Sequence, residues 1–211
     1  GNFGTVVENT SASAVIYDAD ASDVDAGASL SFSVSGTDSD KIVIDADDGE
    51  VRLLKNSDFE THSSYSFSVI ATDGQLTDSQ DVVVSVTDVE EAPVLSTKAI
   101  SALAENTFSS IAVYDADAFD SDGDSLTFSL TGTDQDAFTI NAGSGEVYLK
   151  SSANFEAKSE YQFGIEVSDG ALSDDLDLTL TVSDVNEAPV IYTGNFGTVV
   201  ENTSASAVIY D

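Results

Sequence analysis

The chain has 211 residues, of which 41% are hydrophobic, so it contains enough apolar side chains for one or two packed cores. Asp and Glu number 39 against 6 Lys and Arg, and the net charge of -33 makes nucleic acid and anionic membranes poor partners. No run approaches the roughly 18 to 20 apolar residues of a membrane span, and neither end resembles a signal peptide. We therefore expect a soluble piece of a longer protein, with no membrane insertion and no nucleic-acid partner.

The residues that most often carry catalysis are scarce. There is no Cys, Met or Trp, so disulfides and thiolate metal sites are excluded and stability must come from packed cores or bound ions. The single histidine, His62, lies in a polar stretch that is typical of a surface turn, and no serine has a nucleophile-elbow motif around it. A hydrolase with paired carboxylates would need a cleft to hold them. The sequence therefore predicts that the protein is not an enzyme.

The chain repeats itself at two levels. Residues 1–18 return unchanged at 194–211, which defines a unit of 193 residues. Within that unit ENT, YDAD, GEV, FE and DG recur in the same order, first 97 and then 96 residues later. We predict one domain at 1–92, a second at 93–189, and the incomplete beginning of a third at 190–211, which cannot fold alone.

Each predicted domain is built from short strands. Segments such as LSFSV at 30–34, YSFSVIA at 65–71 and DVVVSV at 81–86 alternate apolar and polar residues, as do their counterparts in the second domain. Period two is typical of antiparallel sheets with one wet face, and no segment has helical spacing. About seven runs per domain, separated by Gly, Asp, Asn and Ser turns, predict an all-β fold of tandem seven-stranded immunoglobulin-like Greek-key β-sandwiches joined end to end.

The same alternation predicts the core of the second domain. Its inward-facing side chains are Leu126, Phe128, Leu130, Phe138, Ile140, Val147, Leu149, Tyr161, Phe163, Ile165, Val167, Leu176, Leu178, Leu180 and Val182.

Both prolines of the chain lie in two similar heptapeptides, DVEEAPV at 88–94 and DVNEAPV at 184–190. Proline cannot donate a hydrogen bond to a sheet, and it favours an extended conformation for the residue before it. We interpret each heptapeptide as a stiff extended connector between two sandwiches.

Acidic residues accumulate in the turns around the first connector. Because the loops of a sandwich cluster at its two ends, one set of nine carboxylates can face this junction: Glu8, Asp58, Glu60, Asp88, Glu90, Glu91, Asp115, Asp117 and Asp169. Two like charges about 5 Å apart repel by roughly 3 kcal/mol at an effective dielectric constant near 20, so such a cluster must protonate, spread apart or bind cations. Hard oxygen ligands without His or Cys favour Ca²⁺ or Mg²⁺, and irregular carboxylate-rich loops favour the larger Ca²⁺ ion.

These motifs resemble those of the cadherin family over the whole chain. The two heptapeptides are similar to the cadherin linker, and the EN dipeptides at 8–9 and 105–106 resemble the acidic base residue of its first strand. DFE at 58–60 and NFE at 154–156 resemble its DRE motif, DAD its DXD motif, and TDG and SDG its single aspartate. Tandem cadherin-like repeats with near-identical copies are similar to those of large bacterial surface adhesins. The family resemblance implies up to three Ca²⁺ ions that stiffen a rod at each junction.

The resemblance also implies the metal ligands residue by residue. The first junction would use the nine carboxylates named above, and the second would use Glu105, Asn154, Glu156, Asp184, Asn186, Glu187 and Asp211. At the other end of the chain Asp18, Asp20 and Asp73 would face a connector that precedes Gly1. Asn154 replaces an aspartate, Glu90 stands where the family has asparagine, and Glu91 and Glu187 replace aspartate, so ligand charge and reach differ from the family pattern.

Other interpretations remain open at this stage. The acids can form a solvating coat, as in proteins from salty habitats, and FDSDGDS at 119–125 can hold a separate ion, although its glycine and missing glutamate do not fit an EF-hand. We expect an extracellular, cell-surface and bacterial protein whose partners are calcium and neighbouring repeats of the same chain. The alternative is a carbohydrate-binding or homophilic module that binds cell-surface glycans or other copies of itself, for which the candidate aromatics are Tyr17, Tyr114, Phe119, Tyr148 and Tyr192.

Overall fold

A computed structural model of the chain describes residues 2–25 and 27–190. Residues 191–211, and with them Asp211, Tyr192 and nearly all of the predicted third repeat, lie outside the described residues. By packing, the chain divides into two compact units, Gly1–Ser96 with Asp117–Phe128 and Glu166–Asp175, and Thr97–Ala116 with Ser129–Ile165 and Leu176–Asp211. The boundaries predicted from the sequence repeats, 92/93 and 189/190, stay a prediction.

The first half of the chain forms seven strands in two sheets. A four-stranded sheet has the order β1-β7-β6-β3, and a three-stranded sheet has the order β2-β5-β4. The strands are β1 (Asn2–Val7), β2 (Val15–Asp18), β3 (Ser31–Ser35), β4 (Ile42–Ile44), β5 (Glu50–Leu53), β6 (Ser64–Thr72) and β7 (Thr77–Thr87). β1 runs parallel to β7, whereas β6 and β7 form a long antiparallel hairpin.

The second half repeats this arrangement. Its sheets have the orders β12-β15-β16-β9 and β10-β14-β13, and β9 again runs parallel to β16. The strands are β8 (Val94–Leu95), β9 (Leu103–Ala104), β10 (Ala112–Asp115), β11 (Ala118–Phe119), β12 (Thr127–Thr131), β13 (Phe138–Ile140), β14 (Glu146–Leu149), β15 (Glu160–Ser168) and β16 (Ser173–Ser183). The short strands β8 and β11 form a separate antiparallel pair. Within the described residues the one helical element is a 3-10 turn at Gln135–Ala137, and no helix has the length and apolar character that a membrane crossing requires.

The alternation predicted from the sequence explains how each sheet buries one face. In β6 the residues Tyr65, Phe67 and Val69 point inward, and they pack with the inward valines of β7 against Val51 and Leu53 of the opposite sheet. The seven-stranded immunoglobulin-like sandwich predicted from the sequence is therefore confirmed.

The predicted core of the second half is also confirmed. Nine of the fifteen side chains are buried, and the other six are half-buried. The rings of Phe138 and Phe163 lie 4.3 Å apart between centroids and join the two sheets. The nine buried residues are Phe128, Phe138, Val147, Leu149, Phe163, Ile165, Val167, Leu180 and Val182.

A glycine closes the same turn in both halves. Gly49 and Gly145 have φ values of 83° and 77°, in the left-handed region that favours glycine. A Cβ atom would lie 2.3 Å from the Ala19 carbonyl oxygen at Gly49, and 2.4 Å from that of Ala116 at Gly145. The GE dipeptide thus recurs in the two halves because the backbone that follows each YDA segment passes directly over this turn.

We predict that Ile165→Ala lowers the free energy of unfolding by about 2 to 5 kcal/mol, because Ile165 is fully buried and its truncation leaves a cavity. Ile111→Ala is the matched control, since Ile111 is 51% exposed and its truncation should change stability by less than about 0.5 kcal/mol. Urea unfolding followed by tyrosine fluorescence measures both values. Equal effects of the two substitutions would contradict the assignment of Ile165 to the core.

Candidate metal centre

Glu8 is the anchor of the first acidic cluster. It follows directly after β1, and its side chain is only 5% exposed. One carboxylate oxygen accepts a hydrogen bond from the Val89 amide, and the other accepts one from the Phe59 amide at 3.1 Å. The Val89 hydrogen bond is the largest cause of the lowered pKa of Glu8; burial opposes it and the Phe59 hydrogen bond adds to it. Glu8 is therefore an ionised group that fastens the first strand to both the connector and the DFE segment.

Asn9 places a second side chain of the same turn. It has a φ of 59°, which asparagine tolerates better than most residues, and its amide donates to the Ser57 carbonyl at 2.8 Å. From this position Asn9 Nδ2 donates to Glu91 Oε1 at 2.8 Å. The EN dipeptide thus acts as a pair, in which the glutamate holds the connector backbone and the asparagine orients the connector side chain. The sequence alone did not lead us to predict the role of Asn9, although the recurrence of the EN dipeptide at Asn106 indicates it.

Two groups of carboxylates meet next to this anchor. Glu8, Glu60 and Asp88 each offer one oxygen, and these three oxygens lie within 4.8 Å of one another. Glu60, Glu91 and Asp122 form a second such group, so that Glu60 is common to both. A cavity of about 360 Å³ lies here, lined by Glu8, Asn9, Asp58, Glu60, Thr61, Glu91, Phe119 and Ser121. The described residues therefore place two adjacent sets of three oxygen ligands around one shared side chain.

Burial, followed by the crowding of like charges, raises the pKa of several of these carboxyl groups. For Asp88 the causes are burial and then the charges of Asp122 and Glu8. For Glu91 burial is also the largest cause, with Glu8 and Asp122 adding to it and the hydrogen bond from Asn9 opposing it. For Glu60 a hydrogen bond from its own backbone amide lowers the pKa, but burial and the neighbouring charges outweigh it. The cluster is thus electrostatically strained when nothing neutralises it.

Asp122 is a ligand candidate of the first cluster that we did not predict from the sequence. We expected Asp115 and Asp117 of YDAD there, whereas the close groups of carboxylates in the described residues contain neither of them. Asp115 ends β10 and lies 4.0 Å from Lys98 Nζ, and the Asp117 carbonyl accepts a hydrogen bond from the Ser96 amide. The FDSDGDS loop, which we considered for a separate ion, contributes Asp122 to the cluster of the first connector.

In Asp120, Asp122 and Asp169, one carboxylate oxygen accepts a hydrogen bond from a backbone amide, whereas the other has no hydrogen-bond partner among the described residues. Asp122 Oδ2 accepts from the Glu91 amide at 2.8 Å, Asp169 Oδ1 accepts from the Ala171 and Leu172 amides, and Asp120 Oδ1 accepts from the Asp124 amide. The second oxygens of Asp120, Asp122 and Asp169 are buried and find no hydrogen-bond partner in the described part of the chain. A buried carboxylate oxygen without a partner is costly. This donor set fits a hard cation, which would satisfy such oxygens directly.

The remaining predicted ligands of the first junction lie near the same place. Glu90 has a raised pKa because of burial, a hydrogen-bonding contact with Asp124 and the charges of Asp122 and Asp169. Asp58 lines the cavity, and its Oδ1 accepts a hydrogen bond from the Thr61 amide at 2.8 Å. Asp124, like Asp122, is a neighbour of these carboxylates that we did not predict from the sequence.

The second cluster repeats the first around the second connector. Glu105, Glu156, Asp184 and Glu187 each offer an oxygen within 4.8 Å of the others. Glu105 accepts hydrogen bonds from the Val185 and Phe155 amides, both at 2.9 Å, and these two bonds, in that order, lower its pKa. The same contacts that Glu8 makes are therefore rebuilt.

The asparagines of the second cluster differ in their role. Asn106 has a φ of 61° and donates to Glu187 Oε1 at 2.8 Å, as Asn9 does to Glu91. Asn154 Oδ1 accepts from the Ala157 amide at 2.7 Å, in the manner of Asp58, but it brings no charge. Asn186 is exposed in the connector. Asp211 lies outside the described residues.

The three aspartates predicted for a connector before Gly1 are at the other end of the first sandwich. Asp20 and Asp73 line a groove of about 570 Å³, and Asp18 ends β2. Asp73 accepts from the Leu76 and Gln75 amides at 2.6 and 2.7 Å, and these bonds, in that order, lower its pKa. Asp73 thus has the same turn geometry as Asp169.

His62 lies in a side-chain network and is not the plain surface residue that we expected. It is 29% exposed, its Nε2 is 3.1 Å from Asp38 Oδ1, and its ring lies 4.7 Å from that of Tyr65. Asp38 is buried and also accepts from Lys41 Nζ and from the Ser66 amide. These contacts fasten the turn before β6 to the loop that contains Asp38.

Of the aromatics considered for glycan binding, Phe119 is the exposed one among those described, at 69%. Tyr114 is buried, and Tyr17 and Tyr148 are half-buried. Tyr192 lies outside the described residues. No aromatic platform for a sugar ring is formed by these four side chains.

Comparison with known proteins supports the fold and the resemblance. A protein-family model described as "Bacterial Ig domain" matches residues 90–184. Protocadherin-23 of Homo sapiens is 28% identical over 186 residues, covering 83% of this chain and 6% of that protein. Cadherin-related family member 1 of Xenopus laevis is 28% identical over 222 residues, covering 96% of this chain and 26% of that protein. The chain thus spans a small fraction of these relatives.

Solved structures show the same fold. Protocadherin Gamma B2 extracellular cadherin domains 3-6 match with a TM-score of 0.62 and 23% identity, covering 90% of this chain and 47% of that one. Human Protocadherin-24 EC1-2 matches with a TM-score of 0.60 and 21% identity, covering 89% of this chain and 95% of that one. The two sandwiches therefore have the fold of cadherin domains, an immunoglobulin-like β-sandwich.

We predict a two-sided pH dependence of stability for the metal-free chain. The raised pKa values of Glu60, Asp88, Glu90 and Glu91 destabilise the folded state above those values, so stability should rise as the pH falls from 7 towards the ordinary glutamate value of 4.5. Below 4.5 it should fall, because Glu8 and Glu105 have lowered pKa values and lose their stabilising contribution as they protonate. Urea midpoints measured in chelator between pH 3 and 7.5 test both limbs.

Two variants separate these contributions at pH 7. Glu60→Gln should raise the urea midpoint of the metal-free chain, because it removes a repelled charge. Glu8→Gln should lower it, because glutamine keeps only one acceptor oxygen for the two backbone amides of Val89 and Phe59. If both substitutions shifted the midpoint in the same direction, the assignment of opposite roles to the two glutamates would be wrong.

Proposed function

We propose that this chain is a calcium-binding repeat of an extracellular adhesin, in which Ca²⁺ ions bound beside each connector hold the connector rigid. One observation carries the proposal: Glu8, Glu60 and Asp88, and Glu60, Glu91 and Asp122, form two sets of oxygens within 4.8 Å around a shared glutamate. The buried unpartnered oxygens of Asp120, Asp122 and Asp169 support it, because a cation gives them a partner.

The donor set favours calcium over other metals. All the candidate ligands in the two groups are carboxylates, and the single histidine of the chain contacts Asp38 instead. Oxygen-only donors disfavour zinc and copper. The carboxylates come from the strand end at Glu8, the DFE turn, the connector and the 120–124 loop. Irregular segments of this kind suit six to eight ligands at unequal angles better than the octahedral shell of Mg²⁺.

Calcium binding would act on the connector through contacts that are already in place. Glu8 holds the Val89 amide, Asn9 holds Glu91, and Asp122 holds the Glu91 amide. Each of these contacts also brings a carboxylate into the cluster, so repulsion within the cluster works against the hydrogen bonds. A bound divalent cation would replace this repulsion by attraction between the cation and each carboxylate. The cluster and the hydrogen bonds would then both stabilise the same connector conformation.

The wider role follows from the relatives. They are cadherins and protocadherins, and the matching structures include extracellular cadherin domains. We infer from this likeness a place at the cell surface, a role in adhesion and no enzymatic activity. The bacterial origin, which we expected from the resemblance to bacterial surface adhesins, stays a prediction that the match described as "Bacterial Ig domain" supports. Neighbouring repeats of the same chain are the partners that such connectors join, and glycan or homophilic binding is the alternative role.

The direct test is isothermal titration calorimetry of the 211-residue chain with CaCl₂ in 0.15 M NaCl. We expect saturable binding with dissociation constants of about 0.1 to 1 mM, the range of extracellular modules, and much weaker binding of MgCl₂. Asp122→Asn should weaken the sites of the first cluster roughly tenfold, equivalent to about 1.4 kcal/mol, because it removes a charged ligand and keeps the acceptor for the Glu91 amide. Asp47→Asn, at an exposed turn residue, removes the same charge and should leave the titration unchanged.

Limited proteolysis at the same calcium concentrations reports on the connector. Cleavage after Glu90 and Glu91 by a glutamate-specific protease should slow when calcium binds, because the connector backbone becomes less accessible to the protease. A titration that shows no heat, or one that Asp47→Asn and Asp122→Asn weaken equally, would leave the acids as a solvating coat. Such a coat responds to bulk salt and does not distinguish between cations.

The second cluster provides an independent prediction. Asn154→Asp should tighten calcium binding at the cluster of Glu105, Glu156, Asp184 and Glu187, because it restores a charge at a position that corresponds to Asp58. Asn141→Asp adds the same charge in a turn whose Asn141 Oδ1 accepts from the Gly143 amide, and it serves as the control. Equal affinity for Asn154→Asp and the parent chain would remove residue 154 from the ligand set.

A further inference from the structure

The first half of the chain has a further cavity of about 570 Å³ next to the DFE turn. Its lining comes from three segments, residues 40–41, residues 54–56 and parts of residues 58–65. None of the carboxylates in the close groups described above lines it. Volumes between about 300 and 1,000 Å³ are typical of small-molecule sites in proteins. The cavity is therefore a candidate binding site that is separate from the clusters of carboxylates.

Backbone hydrogen bonds hold the walls of this cavity in place. The Leu54 amide donates to the Lys41 carbonyl at 2.9 Å, which joins the first two segments. The His62 amide donates to the Asp58 carbonyl at 2.9 Å and closes the DFE turn. Because these segments are already ordered, a ligand that binds between them loses little free energy in ordering the backbone.

One side of the cavity is apolar. Leu54 is 57% exposed, although it is a large hydrophobic residue. The side chain of His62 is 29% exposed, and its ring lies 4.7 Å from the buried ring of Tyr65 between centroids. Leu54 and the imidazole ring therefore offer an apolar surface, of the kind against which ligands pack in small-molecule sites.

Two nitrogen donors in the lining have no partner within the protein. Five of the six Lys and Arg side chains make an ion pair or a hydrogen bond, whereas Lys55 makes neither among the described residues. Asn56 Oδ1 accepts from the Ala12 amide at 3.0 Å, while its Nδ2 has no hydrogen-bond partner within residues 2–25 and 27–190. Both nitrogens are thus available to a ligand.

The charges around the cavity balance one another. The lining contains two carboxylates and two ammonium groups: Asp40, Asp58, Lys41 and Lys55. Lys41 Nζ is already 2.9 Å from Asp38 Oδ1. An anionic ligand would meet both carboxylates and the field of a chain with a net charge of -33, and a cationic ligand would meet both ammonium groups. A neutral ligand with many hydroxyl groups avoids both costs, because a hydroxyl donates to a carboxylate and accepts from an ammonium or amide group.

The second half of the chain shows that the fold does not need these residues. By the internal repeat, Lys150 corresponds to Leu54 and Lys158 corresponds to His62. Lys150 Nζ donates to a backbone carbonyl of the same half at 2.8 Å, and Lys158 Nζ lies 5.1 Å from the centroid of the Tyr161 ring. Two lysines thus make contacts within the protein at the place where the first half presents an apolar surface.

We propose that this cavity of the first sandwich binds a neutral sugar unit of a glycan. The sugar ring packs against Leu54 and His62, its hydroxyl groups donate to Asp40 and Asp58, and its oxygens accept from Lys55. The site gives the chain a recognition function in addition to the role of its connectors, and it does not rest on calcium binding.

The test is an NMR titration of the ¹⁵N-labelled 211-residue chain with the methyl glycosides of glucose, galactose, mannose and N-acetylglucosamine. For at least one sugar we expect the amide signals of residues 54–56 to shift and saturate with one dissociation constant of about 1 to 10 mM, as suits a ligand as small as a hexose. The amide signals of the corresponding residues 150–152 are the internal control and should not shift.

The titration is made in about 2 mM CaCl₂, above the range in which extracellular modules bind calcium, and is repeated in chelator. Both conditions are needed because Asp58 also lines the cavity of the first cluster. Saturable shifts at residues 54–56 in either condition support the proposal.

A double variant fills the cavity with side chains that the fold already accepts. Leu54→Lys combined with His62→Lys gives the first half the two lysines that the second half has, and it should weaken sugar binding at least tenfold. Val43→Lys combined with Ser85→Lys is the matched control, because it adds two lysines at exposed positions that do not line the cavity. The control should bind the sugar as the parent chain does.

A uronic acid tests the class of the ligand. The uronic acid of the sugar that binds has the same ring with a carboxylate, and it should bind at least tenfold more weakly because Asp40 and Asp58 repel it. Equal or tighter binding of the uronic acid, equal effects of the two double variants, or no shifts with any of the four sugars in both conditions would each overturn the proposal. Because calcium binding is measured by calorimetry on the unmodified chain, these outcomes leave the proposed function standing.

Discussion

The structure depends on the way that backbone amides hold carboxylates against their mutual repulsion. Glu8 and Glu105 each accept two amide hydrogen bonds, one from the connector and one from the FE turn, and both have lowered pKa values as a result. The carboxylates around Glu8 have raised pKa values, because burial and like charges disfavour ionisation there. A protein that only needed solubility would have no need of hydrogen bonds that bring these groups together.

The two clusters show which parts of the arrangement belong to each repeat. The anchoring glutamate, the left-handed asparagine and the connector glutamate make the same contacts in both halves, at Glu8, Asn9 and Glu91 and at Glu105, Asn106 and Glu187. A repeat therefore carries its own half of the site at its trailing end. The 120–124 loop adds to it at the first connector, where Asp122 binds the Glu91 amide and leaves its second oxygen buried without a partner among the described residues.

The leading end of a repeat combines two kinds of chemistry. Asp73 and Asp20 line the same groove as Leu30, Phe32 and Leu76, so carboxylates lie beside an apolar floor. A connector that enters such a groove brings acidic residues first and apolar residues after its proline, as in DVNEAPVI. The order of residues in the connector thus matches the order of the surfaces: carboxylates suit a shared cation, and the residues after proline suit strand pairing.

The sequence by itself determined the sandwich fold and its core, because period-two alternation places side chains on one face of a strand without reference to any other part of the chain. It also indicated Glu8, Glu60, Asp88 and Glu91 as one cluster, since these residues recur at fixed positions in each repeat and every loop that carries them ends at the same side of the sheets. It did not distinguish Asp122 from Asp115 and Asp117, because four aspartates fall within the eight positions 115–122 and are equivalent in composition. Only the tertiary structure shows which of them approaches the connector: Asp115 ends β10, whereas the turn after β11 brings the Asp122 carboxylate to the Glu91 amide. The direction in which a loop presents a side chain depends on contacts from residues far away in the chain.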